Sequence, residues 1–173
     1  EGVKKDIKKA FEWYEKAASQ GFAKAQYNLG VMYDKGEGVE KDSKKAIEWY
    51  EKAASQGLAI AQFSLGLMYD KGEGVKKDIK KAFEWYEKAA SQGLAEAQFS
   101  LGFMYYDRIG VKKDIKKAIE CFEKAASQGF ADAQYILGIM YDVGEGVKKD
   151  IKKAKKLFKE ACNGGHQDSC KLI

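Results

Sequence analysis

The 173-residue chain contains no proline and no threonine, one histidine (His166), one arginine (Arg108) and three cysteines. Without proline, helices can run uninterrupted. Positive charge carried almost wholly by lysine argues against sequence-specific nucleic-acid readout, which favours arginine forks. Three cysteines are too few to build a disulfide framework. No apolar run approaches the ~18–20 residues that cross a bilayer. Without threonine a K-T-G triad is impossible, and no serine has a lysine three residues on, so S-x-x-K is missing too. Gly36-Glu37-Gly38 follows no strand and lacks the phosphate-loop pattern. Asp34 to Gly38 lacks the ligand spacing of a calcium loop. The chain opens on Glu1-Gly2-Val3, inside a repeat and without an initiator methionine, which reads as a fragment or a trimmed form and leaves the compartment open.

What is present is a period. Val3, Val39, Val75, Val111 and Val147 stand 36 residues apart, as do Asp6, Asp42, Asp78, Asp114 and Asp150 and the series from Gly21 to Gly165. A fixed period of about 20–50 residues marks an array in which each unit buries its apolar face against its neighbours. Hydrophobic residues make up 45% of the chain, enough for a core.

One period holds two helical segments. The first is expected over about Ile7–Gln20, with Asp6 as N-cap, Ala10, Trp13, Tyr14, Ala17 and Ala18 as its apolar face, and Gly21 as its left-handed stop. The second is expected over about Phe22–Lys35, with Ala25, Leu29, Met32 and Tyr33 buried and Gly36 at its end. Gly30 sits inside this helix at a cost of ~1 kcal/mol relative to alanine. Its recurrence at Gly66, Gly102 and Gly138 implies close backbone approach by the partner helix. Trp13, Trp49 and Trp85 read as core, with Cys121 and Leu157 in their places later. The count is nine helices plus a short terminal turn. Arg108 stands where other repeats have a helix-ending glycine; a left-handed non-glycine residue costs roughly 1–2 kcal/mol, so a locally rearranged turn is expected there.

The pattern A-x-A-Q-[YF]-x-L-G-x-M-Y, then G-E-G-V-x-K-D, then K-A-[IF]-E-W-Y-E-K-A-A-S-Q-G resembles the Sel-one-like repeat (SLR), a relative of the tetratricopeptide repeat. The resemblance implies an all-α, α/α superhelical solenoid: a half-repeat 1–21, repeats 22–57, 58–93, 94–129 and 130–165, and a cap 166–173 in a single domain. It also implies a concave groove lined by the second helices, and an adaptor role. The segment from Cys162 to Cys170 resembles the Helicobacter cysteine-rich proteins, in which such a pair bridges successive helices. That likeness implies a Cys162–Cys170 disulfide and, if it is oxidised, a periplasmic or secreted setting. Free thiols, or a metal held by Cys162, His166 and Cys170, remain alternatives. Members of that subfamily are also labelled β-lactamases, which implies β-lactam binding or weak hydrolysis as the alternative function, although the motifs give it no residue.

The repeats differ from one another at four positions of the second helix. These are Lys24, Asn28, Val31 and Lys35; Ile60, Ser64, Leu67 and Lys71; Glu96, Ser100, Phe103 and Asp107; and Asp132, Ile136, Ile139 and Val143. Spacings of 4, 7 and 11 put each set on one helix face. This face is the expected peptide-binding wall, basic at its start, acidic near Glu96 and Asp107, and apolar at Phe103, Ile136, Ile139 and Val143. Drift on an exposed face, with the third position partly core, is the plain alternative. Lysines such as Lys4, Lys5, Lys8 and Lys9 recur along one edge, which reads as a solvated rim with no aromatic residues interleaved. The expected protein is a monomeric, non-enzymatic scaffold for a protein or peptide, with no cofactor and no nucleic-acid partner. A consensus-like array without a natural partner is a further possibility.

Overall fold

The structure is a computed structural model that describes residues 2–173, with side chains described from Asp6 onward. The side chains of Val3 and of Lys4 and Lys5 of the lysine edge therefore lie outside the description. Among the described residues there are nine α-helices and one 3-10 helix, and no strand. First-type helices are α1 (Gly2–Ser19), α3 (Ser43–Ser55), α5 (Ile79–Ser91), α7 (Ile115–Ser127) and α9 (Ile151–Asn163). Second-type helices are α2 (Ala23–Lys35), α4 (Ala59–Lys71), α6 (Ala95–Asp107) and α8 (Ala131–Val143), and a 3-10 turn over Gln167–Leu172 closes the chain. The fold is an all-α solenoid of 36-residue helix-turn-helix repeats.

Local chemistry sets the helix ends. The Asp42 carboxylate accepts from the Lys44 and Lys45 amides, while Asp78, Asp114 and Asp150 accept from Lys81, Lys117 and Lys153. Each cap contributes about 1 kcal/mol. The cap backbones are held by the preceding helix: the Asp42 amide donates to Tyr33 O at 2.8 Å, and Asp78, Asp114 and Asp150 repeat the bond to Tyr69, Tyr105 and Tyr141. Asp6 departs from the expectation. No such carbonyl is supplied to it within these residues, and α1 runs helically through it from Gly2.

Second-type helices start at Phe22, Leu58, Leu94 and Phe130, which offer no side-chain cap. A recurring glutamine compensates four residues later. Gln26, Gln62, Gln98 and Gln134 donate to Ala18, Ala54, Ala90 and Ala126 O, a second bond to carbonyls that already accept from the turn amides of Gly21, Gly57, Gly93 and Gly129, and so tie each helix start to the end of the helix before it.

The turn at Arg108 corrects the expectation of a rearranged loop. Arg108 takes φ 62° and caps α6 through its amide to Met104 O, as Gly72 (φ 75°) caps α4 through Met68 O. The Ile109 amide also bonds Met104 O (3.0 Å), the Asp114 amide bonds Tyr105 O, and Gly110 keeps φ 72°. A turn of unchanged length with its bonds intact outweighs a left-handed penalty of roughly 1–2 kcal/mol.

By internal contacts the chain divides into two compact units, Glu1–Ala89 and Ala90–Ile173. The core of unit 1 centres on Leu29, Ala46, Tyr50, Ala53, Ala61 and Leu65. That of unit 2 centres on Ala118, Ile119, Phe122, Leu137, Met140 and Leu157. The helix glycines seat aromatic rings. A Cβ on Gly30 would lie 2.7 Å from Tyr50 Cδ1 and 3.2 Å from Ala46 O, and a Cβ on Gly66, Gly102 or Gly138 would strike Tyr86, Phe122 or Phe158. The close approach expected at these glycines is made chiefly by a ring and less by backbone.

The tryptophans are a correction. Trp13 is 70% exposed, while Trp49 and Trp85 are half-buried against the core and carry Lys52 and Lys88 Nζ at 3.8 and 4.0 Å from their ring centroids. The core position is the next residue, Tyr50 or Tyr86, because only that side chain points at the facing glycine. Cys121 is half-buried, outside the disulfide.

Candidate interaction surface

The four variable positions fall on the second-type helices as expected, at two depths. In unit 1, Lys24, Lys35 and Lys71 are exposed, while Asn28, Val31, Ile60, Ser64 and Leu67 are half-buried. Val31 packs against the core of its unit. In unit 2, Asp107, Asp132 and Val143 are exposed, Val143 to 58%, while Glu96, Ser100, Phe103, Ile136 and Ile139 are half-buried. Phe103 meets Phe99 edge-on at 4.9 Å and Phe122 at 5.4 Å, and Ile136 packs on the same core. The third position therefore serves two purposes in α2 and α6, supporting the core with one side and offering the other to solvent. The wall of unit 2 combines carboxylates at Glu96, Asp107 and Asp132 with apolar side chains at Phe103, Ile136, Ile139 and Val143. That of unit 1 pairs lysines with small polar and aliphatic groups.

The lysine edge is not free of aromatic side chains, contrary to expectation. Lys45, Lys81, Lys117 and Lys153 lie over Tyr33, Tyr69, Tyr105 and Tyr141 at 5.2, 5.0, 5.1 and 4.0 Å from the ring centroids. Each pair joins residues 12 apart on successive helices, so linear inspection separates them. The four lysines are exposed, so each pair contributes ~0.5–1 kcal/mol. Another link is special to unit 2: the Tyr106 hydroxyl donates to Glu145 Oε2 at 2.8 Å, and that bond raises the phenol above its ordinary value.

At the C-terminal end Cys162 and Cys170 form a disulfide with Cα atoms 4.9 Å apart. The two sulfurs are bonded to each other, so they are not a metal-ligand pair. The bond ties the 3-10 turn to α9. His166 stacks on Tyr135 at 4.1 Å, and its Nδ1 accepts from the Ser169 amide at 3.3 Å and lies 2.9 Å from Ser169 Oγ. Asp132 Oδ1 is 3.9 Å from its Nε2. Sequence reading missed this serine–histidine–aspartate trio, since Asp132 is remote in sequence. The trio is a cap for the turn. Ser169 is 0% exposed, so its hydroxyl meets no substrate, and the β-lactam alternative gains no support from it.

The Sel1 repeat matches residues 1–22, 23–58, 59–94, 95–130 and 131–166. A comparison with curated proteins finds no match. Among solved structures the chain is similar to a Sel1 repeat protein from Oxalobacter formigenes, with 39% identity and a TM-score of 0.89 over 95% of this chain and 66% of that one. It is similar to c5321, a protective antigen of uropathogenic Escherichia coli strains displaying an SLR fold, at 34% identity and TM-score 0.87 over 94% of this chain and 35% of that one. It is also similar to the Helicobacter pylori cysteine rich protein B, at 33% identity and TM-score 0.60 over 76% of this chain and 94% of that one. The chain thus spans about two thirds and one third of the length of the first two.

Proposed function

The chain belongs to the Sel1 repeat family, whose repeats generally form scaffolds for protein interaction, and from that premise we propose that it is a non-enzymatic adaptor. It captures a peptide segment or protein surface on the wall presented by its second-type helices. The observation that carries this reading is the wall of unit 2. Val143 stands 58% exposed beside half-buried Ile136 and Ile139, with Asp107 and Asp132 exposed around them. Apolar side chains gathered at a surface and rimmed by charge mark contact sites. The charge suits a ligand with an aliphatic or aromatic anchor flanked by lysine or arginine. In unit 1 the exposed Lys24, Lys35 and Lys71 suit acidic flanks. The Cys162–Cys170 disulfide favours an oxidising setting, periplasmic or outside the cell.

Because Phe103 and Ile136 also support the core, the discriminating variants are Val143→Glu and Asp107→Lys, at exposed positions. Both keep the parent's melting temperature and are panned, beside the parent, on a peptide library. Ligands with a basic flank and an apolar anchor, retained by the parent and lost by the variants, are expected. Equal retention by all three proteins would remove the wall as the site.

A further inference from the structure

Unit 2 carries an empty version of a place that unit 1 fills with its own side chain. In unit 1, Trp49 and Trp85 pack against a cluster that includes Ala54 and Leu65. Two periods further on, Leu157 stands at the Trp85 position, and the counterparts of Ala54 and Leu65 are Ala126 and Leu137. These three side chains line a cavity of about 280 Å³ between α7, α8 and α9. Its polar lining is Glu123, Ser127, Tyr141, Lys153 and Glu160. The volume falls just below the ~300–1,000 Å³ of a pocket for a drug-sized ligand, so it suits one ring system.

The polar groups also differ from those around the filled copy. Lys88 lies on the Trp85 ring face at 4.0 Å, and its counterpart in unit 2 is Glu160. A cation that covers a resident ring has become a carboxylate that can accept a hydrogen bond from an incoming one. Glu160 is held by Lys156 at 3.7 Å, and on the opposite side the Tyr141 hydroxyl accepts from Lys153 Nζ at 2.6 Å and reaches Glu123 Oε1 at 3.4 Å. Indole, with one N–H donor and no acceptor, matches an apolar floor bordered by carboxylates. An ammonium or guanidinium of equal size would satisfy the carboxylates but waste the contact with Ala126, Leu137 and Leu157.

We propose that the cavity between α7, α8 and α9 receives the indole of a tryptophan presented by a protein partner, replacing in trans the side chain that Leu157 lacks. This site is lined by α7, α8 and α9 and shares none of the wall residues of α6 and α8, so either can fail without the other.

The test titrates the isotopically labelled protein with N-acetyl-tryptophanamide and, separately, with N-acetyl-leucinamide. The expected result is saturable shifts at the Leu157, Leu137 and Ala126 methyls with the tryptophan probe, and at least about tenfold weaker response to the leucine probe. Leu157→Trp places the missing indole in cis. It should abolish the response at Leu137 and Ala126 while the protein melts no lower than the parent, because the repeats of unit 1 accept tryptophan there. Ala126→Leu fills the cavity from the other side and should do the same. Methyl shifts absent in the parent, equal response to the two probes, or undiminished binding in a folded Leu157→Trp or Ala126→Leu protein would each overturn the proposal.

Discussion

Unit 1 seats tyrosines on its helix glycines, and unit 2 seats phenylalanines. Tyr50 and Tyr86 face Gly30 and Gly66, while Phe122 and Phe158 face Gly102 and Gly138. The packing is the same, but the hydroxyls bring a titratable group into the interior of unit 1. Burial first, and then Asp34 beside Tyr50 and Asp70 beside Tyr86, pushes both phenols well above the ordinary tyrosine value. One architecture thus carries two electrostatic histories. Unit 2 replaces the glycine-seated phenols and the tryptophans with a phenylalanine cluster, an open cavity and a disulfide-tied end.

The severest break in this comparison is Phe122→Ala. Phe122 is fully buried between Gly102, Phe99 and Phe103, and its loss should cost about 3–5 kcal/mol. Hydrogen exchange followed amide by amide should show protection falling in α6 to α8 far more than in α2 and α3. Reducing the Cys162–Cys170 bond, or replacing Cys170 by serine, comes next. Closing so short a loop stabilises by roughly 2–3 kcal/mol, so the 3-10 turn and the end of α9 should lose protection while unit 1 is unchanged.

Alkaline pH sharpens the contrast. The phenols of Tyr50 and Tyr86 stay protonated in the folded state above the pH at which the unfolded chain, with its value near 10.0, has released the proton. Their raised values therefore contribute stability that is fully present below pH 10 and is lost as pH rises beyond it. The double variant Tyr50→Phe, Tyr86→Phe should lose less stability than the parent in urea titrations above that pH, and the same below it. An identical alkaline slope in both proteins would show that the hydroxyls are not desolvated.

The smallest effect concerns a missing rung. Gln56 Nε2 donates to Gln26 Oε1 at 2.7 Å and to Gly21 O at 2.9 Å, and Gln128 repeats this with Gln98 and Gly93. At the last repeat Gly164 stands in the glutamine position, and Gln134 Oε1 is buried with no partner among the described residues. Gly164→Gln should raise stability by about 1 kcal/mol by restoring the donor. A Cβ there lies 3.0 Å from Ala131 Cβ, so a melting temperature that falls would mean that the crowding outweighs the bond.

Much of this was legible in the residues. Regular spacing of alanine, leucine and glycine gave the nine helices, their pairing and the terminal turn, because helix formation is local and the period forces neighbours to match. What failed did so where a residue's surroundings come from another helix. Trp49 and Tyr50 are both aromatic neighbours in sequence, and only the direction of the facing Gly30 makes the tyrosine position the core one. Arg108 looked unable to replace a glycine, yet the bonds around its turn hold it left-handed. The lysine–tyrosine pairs and the His166 cap join residues from separate helices. The wall at Phe103, Ile136, Ile139 and Val143 was visible as variation between repeats, while its depth was not.

The sequence by itself determined the class of the molecule: an all-α repeat array whose units bury apolar stripes against one another, since periodicity and capping act within about 36 residues. Tertiary structure decided which of two adjacent aromatic residues is buried, whether an arginine can end a helix, and which polar atoms keep a partner. It also decided where an indole is absent. Each of these depends on the distance between side chains from different helices, which a linear order does not encode.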